Sequence, residues 1–208
     1  MNRTLIQQSD HYRQSGFGNV LRSSGVFYYR CDERFRTTIT FMNYWKARRD
    51  LDIAVVASLR DMQGQLISRE ELPFDKGHVR NYAPVPPEMP FEGSVEIEVF
   101  ALQNMVIPFA AIIAIYETDS SVALTHNYAR IYSSHEIEEG RTVTNGEESC
   151  WTLRDGDGVR SFAVFHNGLD PQPAQSAEFV VTNANGERRH ITTEIPELSP
   201  FETYKFIP

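Results

Sequence analysis

Residues 93–132 read GSVEIEVFALQNMVIPFAAIIAIYETDSSVALTHNYARIY, and three β-strands follow one another there with short breaks. In the first, Val95, Ile97, Val99 and Ala101 alternate with Ser94, Glu96, Glu98 and Phe100. A period of two sends the aliphatic row into a core and predicts the acidic row in water. The second, Phe109 to Tyr116, is apolar almost throughout, which predicts cover on both faces. The third, Val122 to Tyr132, carries His126, Asn127, Tyr128, Arg130 and Tyr132, the densest set of chemically capable side chains in the chain. A chain built around such a block is a β protein.

The remaining strands bracket that block. Gly25 to Arg30 and Thr37 to Tyr44 are rich in aromatic and β-branched residues. Leu51 to Arg60 places Leu51, Ile53, Val55, Ala57 and Leu59 on one face, and the turn Asp61-Met62-Gln63-Gly64 returns it as Gln65 to Leu72. His78 to Tyr82 adds a short strand before the proline-stiffened Ala83 to Pro90. After Tyr132 the polar, acidic SSHEIEEGRTVTNGEES marks a boundary. Strands then resume over Arg160 to His166, Gln175 to Asn183, Glu187 to Ile195 and Phe201 to Ile207. No long helix is expected anywhere.

The two halves echo each other. F-M-N at Phe41 to Asn43 returns as F-H-N at Phe165 to Asn167, an offset of 124 residues, and Gly64 returns as Gly186 at 122. Strand, polar loop, strand, glycine turn and return strand recur in the same order. This pattern predicts an all-β chain of tandem immunoglobulin-like antiparallel β-sandwiches. Its parts are a polar lead-in over 1–17, a first sandwich over 18–132, a linker over 133–148 and a second, incomplete sandwich over 149–208. An incomplete sandwich leaves an unpaired sheet edge, through which a homo-oligomer is expected.

Charge narrows the partners. With 28 acidic against 20 basic residues the formal charge is −8, which disfavours a phosphate backbone and hence nucleic acid. The short cluster Lys46, Arg48, Arg49 reads as a solvated turn. No apolar run approaches the roughly 18 residues of a membrane span. The opening MNRTLIQQSDHYRQSG has no apolar signal core, so a cytoplasmic location is expected. Cys31 and Cys150 stand far apart in no CxxC spacing, and the default for that compartment is two free thiols, a single disulfide being the alternative.

The segment Leu102-Gln103-Asn104-Met105-Val106-Ile107-Pro108, ahead of an apolar strand, resembles the sensory rhodopsin transducer family. Those are small soluble β-sandwich proteins with a similar Asn-to-Pro approach to a buried strand. The resemblance covers part of the first half and includes no catalytic motif. It implies an immunoglobulin-like sandwich that binds a partner.

Reactive chemistry finds little support. His126 with His135 and Glu136 offers imidazole and carboxylate ligands for a divalent metal if the chain folds back after Tyr132. Their spacing matches neither HExxH nor an HxH pair. Asp155-Gly156-Asp157-Gly158 begins like a calcium loop but lacks the closing acidic ligand, so it reads as a turn. No GxSxG elbow or flanked cysteine nucleophile occurs. A ligand surface fits better: His126, Tyr128, Arg130 and Tyr132 alternate on one strand, and Tyr44 and Trp45 lie in the first polar loop. Exposed rings beside hydrogen-bonding groups suit a protein or glycan partner. The sequence therefore predicts a non-catalytic binding or assembly protein without a cofactor, acting through sheet faces or edges. A carbohydrate-binding accessory protein and a metal-dependent enzyme using the His/Glu cluster are the alternatives.

Overall fold

The structure is a computed structural model and describes residues 22–50, 52–73, 79–101, 112–126, 155–156 and 158–206. In chain order the strands are β1 (Arg22–Cys31), β2 (Arg36–Met42), β3 (Ile53–Asp61), β4 (Leu66–Glu71), β5 (Val79–Tyr82), β6 (Phe91–Ala101), β7 (Ile112–Glu117) and β8 (Val122–His126). They continue with β9 (Asp155–Gly156), β10 (Val159–Arg160), β11 (Ala163–His166), β12 (Gln175–Thr182), β13 (Arg188–Ile195) and β14 (Thr203–Phe206). One short helix, α1 (Tyr44–Arg49), links β2 to β3. The fold is all-β. The expected lead-in at 1–17 and linker at 133–148 lie outside the described residues.

Two antiparallel four-stranded sheets face each other, one ordered β1-β6-β3-β4 and the other β5-β2-β7-β8. Between them lies one core, with Phe27, Tyr29, Val55, Ala57, Leu59, Val95, Ile97 and Val99 from the first sheet and Ile39, Phe41, Ile112 and Ala114 from the second. The alternation in β6 sets the register. A slip of one residue would exchange Val95, Ile97 and Val99 for Ser94, Glu96 and Glu98 in that core. Burying each such aliphatic side chain contributes roughly 1.5–3 kcal/mol, so the slipped pairing cannot compete.

The acidic row of β6 is not in water, contrary to the pattern's prediction. Glu96 is 1% exposed and Glu98 is also buried. Arg60 Nη1 donates to Glu96 Oε2 at 3.0 Å, and Arg22 Nη2 donates to Glu96 Oε1 at 3.0 Å. Glu98 is held by Arg22 Nε at 2.8 Å and paired with Arg69 at 2.6 Å. Burial, then the neighbouring Glu98 charge, raise the Glu96 carboxyl above its ordinary value, and Arg60 and Arg22 offset this only in part. Alternation fails here because C-terminal residues pack beside this face. The Phe201 ring lies 4.2 Å from the Arg60 guanidinium, and Phe162 meets Tyr28 edge-on at 5.6 Å. Lys205 reaches Glu92 at 2.7 Å, and the Thr203 N–H donates to the Met62 carbonyl at 2.9 Å.

Three more expectations change in detail. In the second predicted strand Ile112 and Ala114 are buried but Ile113 faces out, so β7 is covered on one face only. The strand expected over Arg160 to His166 is interrupted at 161–162, giving β10 and β11. The first polar loop holds α1: Asn43 Oδ1 accepts from the Lys46 N–H at 3.0 Å, and Asp50 ends the helix in the left-handed region at φ 52°.

The C-terminal strands repeat N-terminal pairings. In β2·β5, Ile39 opposes Tyr82 and Met42 opposes Val79, while in β11·β14, Ala163 opposes Phe206 and His166 opposes Thr203. Each of these four pairs has its counterpart at an offset of 124 (39 to 163, 82 to 206, 42 to 166, 79 to 203). The hairpins β3·β4 and β12·β13 match at 122 beside the turn, and part by one residue beyond it, where β3·β4 has a register shift between Leu59 and Arg60 that β12·β13 lacks. Arg60 opposes Leu66 as Thr182 opposes Arg188. Asp61 Oδ1 accepts the Gln65 N–H at 2.8 Å, and Asn183 Oδ1 accepts the Glu187 N–H at 3.0 Å. Short side chains with an acceptor oxygen at this turn position replace a backbone partner.

Candidate functional site

The outer face of the second sheet carries five of the large apolar side chains that are exposed among the described residues. Register places its residues in rows across the strands. Asn81, Thr40, Ile113 and His126 stand side by side, then Thr38, Ile115 and Leu124, then Arg36, Glu117 and Val122. Met42 and Val79 form a further pair at the opposite corner. Leu124 is 64% exposed and Val122 58%, and Met42, Val79 and Ile113 are exposed with them. Scattered single apolar residues are ordinary on a surface; five on one sheet face form a patch.

Local sequence explains how the face arises. Inward positions of β2 and β7 carry Ile39, Phe41, Ile112 and Ala114 for the core, and strand pleating turns the intervening residues out. The intervening residues are not uniformly polar, as they are on a solvated sheet face. Thr40 Oγ1 donates to Asn81 Oδ1 at 2.8 Å across β2 and β5, a polar pair that separates Met42 and Val79 from the other apolar residues of the face.

Beyond Arg36 and Glu117 the same end of the sandwich holds a cavity of about 660 Å³, lined by Arg30, Asp32, Phe35, Met89, Pro90 and Thr118 among others. Two of its charged side chains, Arg30 and Asp32, pair with each other. Arg30 Nε donates to Asp32 Oδ2 at 2.8 Å, and its guanidinium lies 4.9 Å from the Phe35 ring centroid. The Arg34 N–H on Asp32 Oδ1 at 2.9 Å, and then Arg30, hold the Asp32 carboxyl below its ordinary value despite partial desolvation. Thr118 is tied to the β7–β8 turn, its N–H donating to the Ser121 carbonyl at 2.8 Å. Such a lining favours contact over reaction: the Arg30–Asp32 pair, the apolar walls of Phe35, Met89 and Pro90, and a hydroxyl held within its own turn.

The expected site residues separate. His126 ends β8 on the exposed face, opposite Ile113. Tyr44 is 40% exposed at the start of α1. Trp45, expected on a ligand surface, is 8% exposed and belongs to the core; α1 rather than a loop follows β2, and successive helical residues point in different directions. The two rings meet edge-on at 6.3 Å, so they do not form a flat platform. Tyr128, Arg130, Tyr132, His135 and Glu136 lie outside the described residues, as do Cys150 and the segment Leu102 to Pro108. Among the described residues no three His, Cys, Asp or Glu side chains converge as metal ligands. No helix of the described residues is long and apolar enough to cross a membrane.

Sequence reasoning missed the exposed row on β7 and β8 because it treated Phe109 to Tyr116 as buried on both faces. The signal was present in Val122 and Leu124, which alternate with Ala123 and Thr125 and so share one face. Comparison of the chain with protein-family models, with curated proteins and with solved structures gives no match.

Proposed function

We propose that the chain is a non-catalytic binding or assembly protein that holds a polypeptide partner against the outer face of the second sheet. The observation that carries this function is the patch of Met42, Val79, Ile113, Val122 and Leu124, apolar and exposed on one face. Burying it against a partner gains the hydrophobic term that folding left unused. Polar groups accompany it, with Thr40 and Asn81 between the Met42–Val79 pair and the other apolar residues and Arg36 and Glu117 on the end row, which offers a protein partner hydrogen bonds beside the apolar contact.

A carbohydrate platform has less support, because Trp45 is in the core and leaves Tyr44 as the one exposed ring of that pair. A metal-dependent enzyme would draw on His126 with His135 and Glu136, of which His126 alone is placed.

The register of β2·β5 and β11·β14, matched at offset 124, and the hairpin turns, matched at 122, support two copies of one strand plan, in the manner of tandem immunoglobulin-like sandwiches. In that plan β11, β12, β13 and β14 stand for β2, β3, β4 and β5.

The test is selection of a displayed random peptide library on the wild-type chain. Selected peptides should bind at least roughly tenfold more weakly to Leu124→Glu, which puts a charge beside Ile115 within the patch. Selections that recover no peptide sensitive to this substitution, or saturable binding on a glycan array indifferent to it, overturn the proposal.

A further inference from the structure

β12 has the composition of an interior strand, yet among the described strands it pairs with β13 alone. Its counterpart at the shared turn, β3, has β4 on one side and β6 on the other. The outer strand of each hairpin is charged: β4 reads LISREE, and β13 begins Arg188, Arg189, His190. β12 reads QSAEFVVT, and its single charge, Glu178, already pairs with His190. Exposed edges are ordinarily blunted by several charges, a proline or a bulge, and β12 has none of these over its eight residues. Its open side is therefore an edge suited to one more strand.

We propose that a second copy of this chain supplies that strand, with β12 pairing antiparallel to β12 about a two-fold axis at Phe179. Residues directly opposed in an antiparallel pair share a face, so a symmetric pair must be centred on a residue and not between two. The centres that keep nearly all of β12 paired are Glu178 and Phe179. An axis at Glu178 sets two carboxylates against each other, which is unfavourable. An axis at Phe179 sets Ala177 opposite Val181 on the half-buried face, where Phe179 stacks on Phe206 with ring centroids 5.0 Å apart. On the other face it sets Glu178 opposite Val180, which avoids the carboxylate clash. The product is a continuous sheet ordered β13-β12-β12-β13, with the apolar row carried across the axis. This contact uses a different surface from the partner face on β7 and β8, so either can fail without the other.

Analytical ultracentrifugation of the whole chain over a concentration series tests it, with Val180→Glu and Val180→Lys beside wild type. Val180 is 51% exposed, so both substitutions leave packing intact. The glutamate would face Glu178 of the partner subunit twice per dimer, and the lysine would face it as a counter-ion. Wild type should dimerise reversibly. Val180→Glu should raise the dissociation constant roughly tenfold, while Val180→Lys should leave it unchanged or lower it. A chain that is monomeric at every concentration overturns the proposal, as does a dimer that responds alike to both charges.

Discussion

Gly64 and Gly186 occupy the same position in two matching hairpin turns, with φ of 82° and 81°, yet their surroundings are opposite. A β-carbon built on Gly64 would lie 2.4 Å from the Pro200 carbonyl oxygen and 2.7 Å from the Phe201 carbonyl carbon, whereas one on Gly186 meets nothing within 4 Å. The first turn is thus a docking point for the C-terminal segment, and the second is open. Alanine at either site must adopt a left-handed backbone, at roughly 1–2 kcal/mol. Gly186→Ala should cost about that amount in urea denaturation. Gly64→Ala should cost distinctly more, because backbone atoms must also move apart. Equal losses for the two would refute the docking role of Gly64.

The buried Arg60–Glu96 pair beside that turn predicts a second contrast. Arg60→Ala removes a partner from a carboxylate that has little access to water, and breaking a buried pair from one side costs about 3–5 kcal/mol. It also removes the guanidinium lying 4.2 Å from the Phe201 ring. Glu96→Gln keeps the shape and one acceptor, and it relieves a carboxyl that burial already disfavours, so its cost should be well below that of Arg60→Ala. Lys205→Ala breaks the more exposed Lys205–Glu92 bridge and should cost at most about 1 kcal/mol. Chemical denaturation of the three variants ranks them. Lys205→Ala matching Arg60→Ala would mean that the network is not sealed from solvent.

Asn43 and Asn167, related by the same offset of 124, predict a third contrast. Asn43 caps α1 with one hydrogen bond, and losing a cap costs about 1 kcal/mol. Asn167 is buried, and its amide donates to the carbonyls of Asp170, Leu198 and Ser199 at 3.0, 3.3 and 2.7 Å, while its oxygen accepts from the Gly168 N–H. Asn167→Ala leaves several of these groups without partners and should cost about 2–3 kcal/mol. Thermal unfolding should therefore show a larger fall for Asn167→Ala than for Asn43→Ala.

The strands were legible where one physical requirement acted alone. Val55, Ala57 and Leu59 had to face a core, Gly64 and Gly186 had to take positive φ, and the alternating pattern recorded both. Legibility failed where a second layer intervened. Glu96 and Glu98 look like a solvated row until Arg22, Arg60 and Arg69 are brought to them from strands distant in sequence. Trp45 reads as a loop aromatic because six residues are too few to show a helical period. The apolar patch was half legible: Val122 and Leu124 share a face by simple alternation, but only the register across β5, β2, β7 and β8 shows that four strands contribute to it. Of the expected site residues His126 lies on that sheet face, and its position follows from being paired with Ile113.

His166 gives the chain a dependence on pH. It ends β11 opposite Thr203, with Nδ1 3.0 Å from the Thr203 hydroxyl, and burial pushes its imidazole down to about 4 from an ordinary 6.5. The sign follows from linkage. Above about 6.5 the ring is neutral in both folded and unfolded chains and does not change their balance. As pH falls below that value the unfolded chain takes up a proton that the folded chain refuses until about 4, so stability declines across this window and levels off beneath it. Thr203 also donates its N–H to Met62 on the β3–β4 turn, so the loss should fall on the docking of the C-terminal strands. His166→Gln, which keeps a hydrogen-bonding side chain but does not titrate, should flatten the decline in melting temperature between pH 6.5 and 4 relative to wild type. An unchanged slope in that variant would show that other groups carry the acid sensitivity.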